Sequence, residues 1–196
     1  QSPSYSGHVD GVVARLKEFF EANGFDSVHV DKYGNVIGCM KGNRPGPRLQ
    51  FDGHIDTVPV EDASKWEYDP FGAEIVDGKI YGRGTSDMKG AVAAMACATA
   101  NFAKATNRDF AGEIYVAGVV HEECFEGVAA REISAYVKPD YVVIGEASQL
   151  NLKIGQRGRA EIVIETFGKP CHSANPEKGI NAVYKMAKVI EAIRTL

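Results

Sequence analysis

Near-continuous apolar runs alternate along this chain with stretches of helical spacing, and each run ends in acidic or imidazole groups. The runs "RLQFDGHID" (48–56), "GEIYVAGVVHEE" (112–123) and "PDYVVIGEAS" (139–148) read as strands. Between them, "SDMKGAVAAMACATANFAKA" (86–105) and "EGVAAREISAYV" (126–137) read as helices. Strands that are apolar on both faces and separated by helices pack as an α/β sandwich around a largely parallel sheet. Ligands in such folds gather beyond the carboxyl ends of the strands. His54 and Asp56 end one run, Asp87 opens the helix after a hairpin, Glu122 and Glu123 end the next run, and Glu146 ends the last.

The flanking segments fit the same plan. "HVDGVVARLKEFFEANGF" (8–25) spaces Val9, Val12, Val13, Leu16, Phe19 and Phe20 for a helix that Gly24 stops. "SVHVDKYGNVIGCM" (27–40) predicts two strands around Gly34 and Asn35, and "GAEIVDGKIYGRG" (72–84) predicts a hairpin turned at Asp77-Gly78. From Asn151 the texture changes. "NLKIGQRGRAEIVIETFG" (151–168) alternates like a strand with one wet face, and "GINAVYKMAKVIEAIRTL" (179–196) is an amphipathic helix. One strand and one helix close no core, so residues 1–150 are expected to form one domain and 151–196 the beginning of a second.

Composition narrows the function. With 44% hydrophobic and 24% charged residues the chain reads as globular. A net charge of −4 with scattered Lys and Arg gives no basic surface for nucleic acid or an anionic membrane. No run is long enough to span a bilayer, "QSPSYSGHVDGVV" lacks the pattern of a signal peptide, and the sparse, scattered cysteines lead to the expectation of a reducing cytoplasm. Cys39, Cys97, Cys124 and Cys171 form no CxxC pair, which argues against a thiolate zinc site or a disulfide framework. Cys124 and Cys171 read as small buried or partly buried thiols. A cysteine hydrolase pairing one of them with His121 or His172 is the weakest reading.

Singly, each strand-end group has a bland explanation as a loop histidine, a helix cap or a solvated acid. Together, His54, Asp87, Glu123 and Glu146 form a nitrogen and oxygen donor set without thiolate. Such a set suits Zn2+, with Mn2+ or Co2+ as substitutes. A two-ion site, with ions about 3.5–4 Å apart, needs a bridging carboxylate, and Asp87 at a helix start is placed to supply one. Asp56, two residues beyond His54, is positioned to accept its ring N–H. In the Glu122-Glu123 pair, one side chain can bind metal while the other acts as general base toward water, as amide hydrolysis requires.

The segments "GHIDTVP", "YGRGTSDMKGAVAAM", "HEE" and "IGEAS" also resemble, in order, the signatures of the M20 metallopeptidases. That clan includes carboxypeptidase G2, succinyl-diaminopimelate desuccinylase, acetylornithine deacetylase and aminoacylase-1. The resemblance implies a three-layer zinc-peptidase-like catalytic domain with a mostly parallel sheet, then the start of an α+β lid or dimerisation domain. It implies two Zn2+, with His54 and Glu146 terminal on one, Asp87 bridging and followed by a cis peptide, and Glu123 on the other. By the same match Asp56 orients His54, and Glu122 is the base. "GKPCHSANPEKGINAV" (168–183) is similar to the start of the lid, where His172 would stabilise the oxyanion in a partner's site. The implied substrates are small peptides or N-acyl amino acids, and the implied assembly is a homodimer. The family's last ligand, a later histidine, and its substrate-binding arginines have no counterpart here, so the expectation is an N-terminal half. A catalytically incomplete fragment or pseudoenzyme that serves binding is the alternative.

Overall fold

A computed structural model describes residues 2–125 and 127–196. The chain divides into two compact units, Gln1–Leu152 and Lys153–Leu196. In the first, α1 (Asp10–Ala22) leads into the antiparallel pair β1 (Ser27–Val30) and β2 (Val36–Lys41), and then into β3 (Arg44–His54). A short hairpin follows, β4 (Glu74–Val76) and β5 (Lys79–Tyr81), turned by Asp77 and Gly78 with φ of 49° and 74°. Both angles are positive, as a primed hairpin turn requires. Then come α2 (Lys89–Ala105), β6 (Ala111–Val119), α3 (Val128–Val137) and β7 (Tyr141–Ile144). The expected start of the third helix at Glu126 lies outside the described residues.

The main sheet has the order β1-β2-β6-β3-β7. β3 pairs in parallel with β6 and with β7, whereas β2 is antiparallel to both β1 and β6. Four of its five described strands therefore run one way. β6 and β3 occupy the middle, which is why both read as apolar runs. Gly38, Gly53 and Gly118 mark one face of the sheet. A side chain there would meet Phe20 and Phe25, Met88 and Val92, or Leu16 respectively, so α1 and α2 cover this face. The alternate positions face α3: His29 stacks on Tyr136, and Arg48 donates from Nη1 to the Val137 carbonyl at 2.9 Å. The result is three layers, helices on sheet on helix. No described helix is long and apolar enough to cross a membrane.

Several expectations change in detail. β7 is an edge strand, and Tyr141, Val142, Val143 and Ile144 are all exposed, so its apolar run marks no interior position here. β6 ends at Val119, and Glu122 and Glu123 occupy a turn beyond it that begins at His121 with a φ of 61°. Residues 151–168 form no strand. A half-wet strand needs a neighbouring ladder for its backbone, and the second unit offers only the bridge between Lys169 and Ile180. Its helix α4 (Ala182–Ile193) is capped by Asn181, whose Oδ1 accepts from the Val183 N–H at 2.9 Å. Cys124 and Cys171 are exposed rather than buried, Cys124 in the turn after β6 and Cys171 in irregular chain outside the core.

One buried amide ties the layers together. Asn35 is fully buried and donates from Nδ2 to Asp31 Oδ2 at 2.7 Å and to the Ala129 carbonyl at 3.0 Å. Its Oδ1 accepts from the Val120 N–H at 2.9 Å, just where β6 ends. Asn35→Ala is expected to lower the unfolding free energy by roughly 2–5 kcal/mol, since each buried polar group left unpaired costs about 1–3. Urea denaturation checks this, and a loss under about 0.5 kcal/mol would remove Asn35 as a tie between layers.

Candidate metal centre

The site lies beyond the carboxyl end of β3, and close packing builds it. Gly53 has no room for a side chain: a Cβ there would sit 2.5 Å from Met88 Cε and 2.8 Å from Val92 Cγ2. The inward residues of α2, Val92, Ala96, Thr99 and Ala103, are mostly small, and Met88 ahead of them is fully buried. The first turn of α2 is thereby pressed against the tip of β3. The residue after Gly53 is His54 and the residue before Met88 is Asp87, and His54 Nε2 meets Asp87 Oδ1 at 2.8 Å. The Asp87–Met88 peptide is cis.

His54 is the hub. Its Nδ1–H donates to the Asp56 backbone carbonyl at 2.8 Å, which directs Nε2 toward the carboxylates. Nε2 lies 3.6 Å from Glu146 Oε1 and 3.8 Å from Glu122 Oε2. His54, Glu122 and Glu146 offer one set of ligand atoms within 4.8 Å of one another, and His54, Asp87 and Glu123 offer another. One buried imidazole among partly exposed carboxylates is a hard-to-borderline donor set that fits a divalent ion such as Zn2+, Mn2+ or Co2+.

The electrostatics point the same way. Burial pushes the His54 pKa down, but the Asp56 carbonyl, the Asp87 carboxylate and nearby Glu146 and Glu122 outweigh it and raise it overall. Burial raises the Glu146 pKa, with the His54 charge opposing and the Asp87 and Glu123 charges adding to the rise. Four acids around one imidazole are short of positive charge.

The Asp56 carboxylate differs from the expected ring acceptor. It is fully buried, and its Oδ1 lies 3.7 Å from His54 Nδ1, so the ring contact runs through the Asp56 carbonyl. The carboxylate instead accepts the N–H of Glu122 at 3.2 Å on Oδ1 and the N–H of Glu123 at 3.2 Å on Oδ2. It also accepts the Ser6 hydroxyl at 2.6 Å. His172 belongs to the second unit, where its exposed ring accepts the Ala174 N–H through Nδ1 at 3.1 Å. Cys124 Sγ lies 3.9 Å from His121 Nδ1, at the limit of a hydrogen bond to sulfur.

Two participants escape a reading of the sequence. Ser6 carries no local signal, being 50 residues from its partner. Asp52 falls within an apolar strand pattern, yet it is a buried acid whose Oδ2 accepts from Gln50 Nε2 at 2.7 Å. A strand acid two positions before His54, on the same side of the chain, is the available clue.

The comparisons decide the family. Residues 51–194 match the sequence pattern of Peptidase family M20/M25/M40. The chain belongs to this family. It is 38% identical over 197 residues to the protein YgeY of Escherichia coli (strain K12), covering 99% of this chain and 48% of that one. It is 36% identical over 203 residues to acetylornithine deacetylase of Vibrio vulnificus (strain CMCP6), covering 99% and 51%. The fold is similar to that of the M20 family metallo-carboxypeptidase Sso-CP2 from Sulfolobus solfataricus, with a TM-score of 0.68 at 23% identity, over 96% of this chain and 46% of that one. The chain spans about half the length of the curated relatives it matches.

The buried acid yields a pH prediction for the metal-free protein. Burial pushes the Asp52 pKa up to about 6, with Gln50 opposing and the Glu146 charge adding to the rise. A folded-state pKa above the unfolded value means that the folded chain holds the extra proton. Stability should therefore fall as pH rises from about 4 through about 6, and stay level above about 7. The loss is about 3 kcal/mol at neutral pH. Asp52→Asn should flatten this decline and raise the unfolding free energy at pH 8, read by denaturant titration at a series of pH values.

Proposed function

We propose that the intact protein is an M20-type metal-dependent amidohydrolase that cuts a peptide bond or the amide of an N-acyl amino acid. The observation that supports this most is the convergence on His54 Nε2 of Asp87, Glu146 and Glu122, all within 3.8 Å. His54 and Glu146 would hold one divalent ion, Asp87 would bridge, and Glu123 would hold the second, with Zn2+ as the expected metal. Bound ions supply Lewis acidity, which lowers the pKa of water and polarises the scissile carbonyl.

The chain's own groups supply the rest. Glu122 would take a proton from the attacking water on its carboxylate and deliver it to the leaving amine nitrogen. Asp56 would hold Glu122 and Glu123 through their backbone N–H groups and hold His54 through its own carbonyl. His172 would donate to the developing oxyanion from a second copy of the chain, as the resemblance of its segment implies, and this role calls for a homodimer. Small acylated amino acids or peptides are the proposed substrates, in keeping with the deacetylase and carboxypeptidase relatives.

A second assignment arises from the grouping of Glu122 with His54 and Glu146, in which Glu122 is itself a ligand. Glu122→Gln separates the two. As a general base, its loss should lower turnover by about a thousandfold while metal content stays near wild type. As a ligand, its loss should lower metal content in step with activity. His54→Ala should lower both, measured by elemental analysis beside the rate. Removal of metal with a strong chelator should abolish turnover, and Zn2+, Co2+ or Mn2+ should restore it; activity that survives chelation would sink the amidohydrolase reading.

A further inference from the structure

Residues 2–8 lie outside every helix and strand, yet they are fastened beside three of the segments that carry the candidate centre. Tyr5 forms a parallel bridge with Thr57, whose N–H donates to the Ser4 carbonyl at 2.8 Å. Ser4 is fully buried. The Lys89 amine, in the first turn of α2, donates to the Ser2 carbonyl at 3.0 Å and to Ser4 Oγ at 2.9 Å. The Ser6 hydroxyl donates to Asp56 Oδ2 at 2.6 Å. One short segment thus touches the chain just past His54, the helix just past Asp87, and the acid that holds Glu122 and Glu123.

We propose that Ser2–Ser6 is a positioning strap for the centre, acting through the Ser6 hydroxyl on the Asp56 carboxylate and from there on the Glu122–Glu123 turn. The proposal rests on the amidohydrolase reading above. The physical basis is the isolation of Asp56 from water. A buried carboxylate takes its orientation from its donors. The Ser6 hydrogen bond, at 2.6 Å, is shorter than the two amide hydrogen bonds at 3.2 Å, and Oδ2 is shared between Ser6 and the Glu123 N–H. Without the hydroxyl, only the two longer amide hydrogen bonds hold the carboxylate, and its orientation is less tightly fixed. The Glu123 amide then has a less firmly held acceptor, and the side chain on that residue is placed less precisely. Backbone docking through Thr57 does not depend on the Ser6 side chain, so the strap itself stays attached.

The test uses Ser6→Ala and Ser6→Thr in the intact protein. Co2+ serves as the probe, with binding followed by its visible absorption, so no substrate is required. Ser6→Ala should weaken the looser Co2+ by about 10–100-fold, the usual effect of losing a group that orients a ligand, and Ser6→Thr should restore it to within about threefold. Wild-type Co2+ binding by Ser6→Ala would overturn the strap, and so would equal weakening in both variants, because the hydroxyl would then not be the agent. Failure of the underlying reading looks different: His54→Ala would then leave Co2+ binding untouched, whatever the Ser6 variants do.

Discussion

The Asp56 carboxylate has no exposure to solvent, and a charge so placed must find its hydrogen-bond donors inside the protein. It finds them in residues 6, 122 and 123, which sequence keeps far apart. Its own backbone carbonyl takes the Nδ1–H of His54, and that hydrogen bond fixes which ring nitrogen faces the other carboxylates. One residue therefore sets the tautomer of the histidine and the course of the glutamate turn. Without either of these anchors, the side chains would still be present but not convergent.

Convergence also needs the strand tip and the helix start to meet. Glycine at position 53 and a face of mostly small residues on α2 allow it. A larger residue at either place would push Asp87 away from His54, and a hydrogen bond of 2.8 Å tolerates little displacement. Small residues here do not lower the cost of folding by burying area. They trade that area for proximity, and the polar interactions at the sheet edge are what the proximity makes possible.

Much of this is legible in the chain. The apolar runs mark the central strands because β3 and β6 are covered on both faces, and the strand-end acids mark the edge where ligands gather. The Asp77-Gly78 turn is readable because its backbone conformation restricts residue choice. The path past β6 is not. Neighbouring glutamates on a strand would face opposite ways, but the strand stops at Val119 and the turn is shaped by Asp56, a long-range acceptor that no local pattern announces. The alternation over residues 151–168 is real as a pattern, yet a strand exists only with a partner ladder. Ser6 is invisible to local rules, because its role is a single hydrogen bond across 50 residues.

Part of what local rules fail to explain lies close to His54. Asp52 is a buried acid with a pKa pushed up to about 6, and the Oε1 of Gln50 beside it is buried without a hydrogen-bond partner. Thr57 Oγ1, three residues past His54, is buried and unpartnered as well. His121, which turns the chain toward Glu122, adopts a positive φ that a side chain disfavours. A fold selected for stability alone would have placed apolar residues at the first three positions and glycine at the fourth. Departures from local consistency tend to cluster where a protein binds or reacts. These four lie within four residues of His54 in sequence or beside Glu122, next to carboxylates whose mutual repulsion a bound cation would relieve, linking occupancy of the centre to stability of the fold.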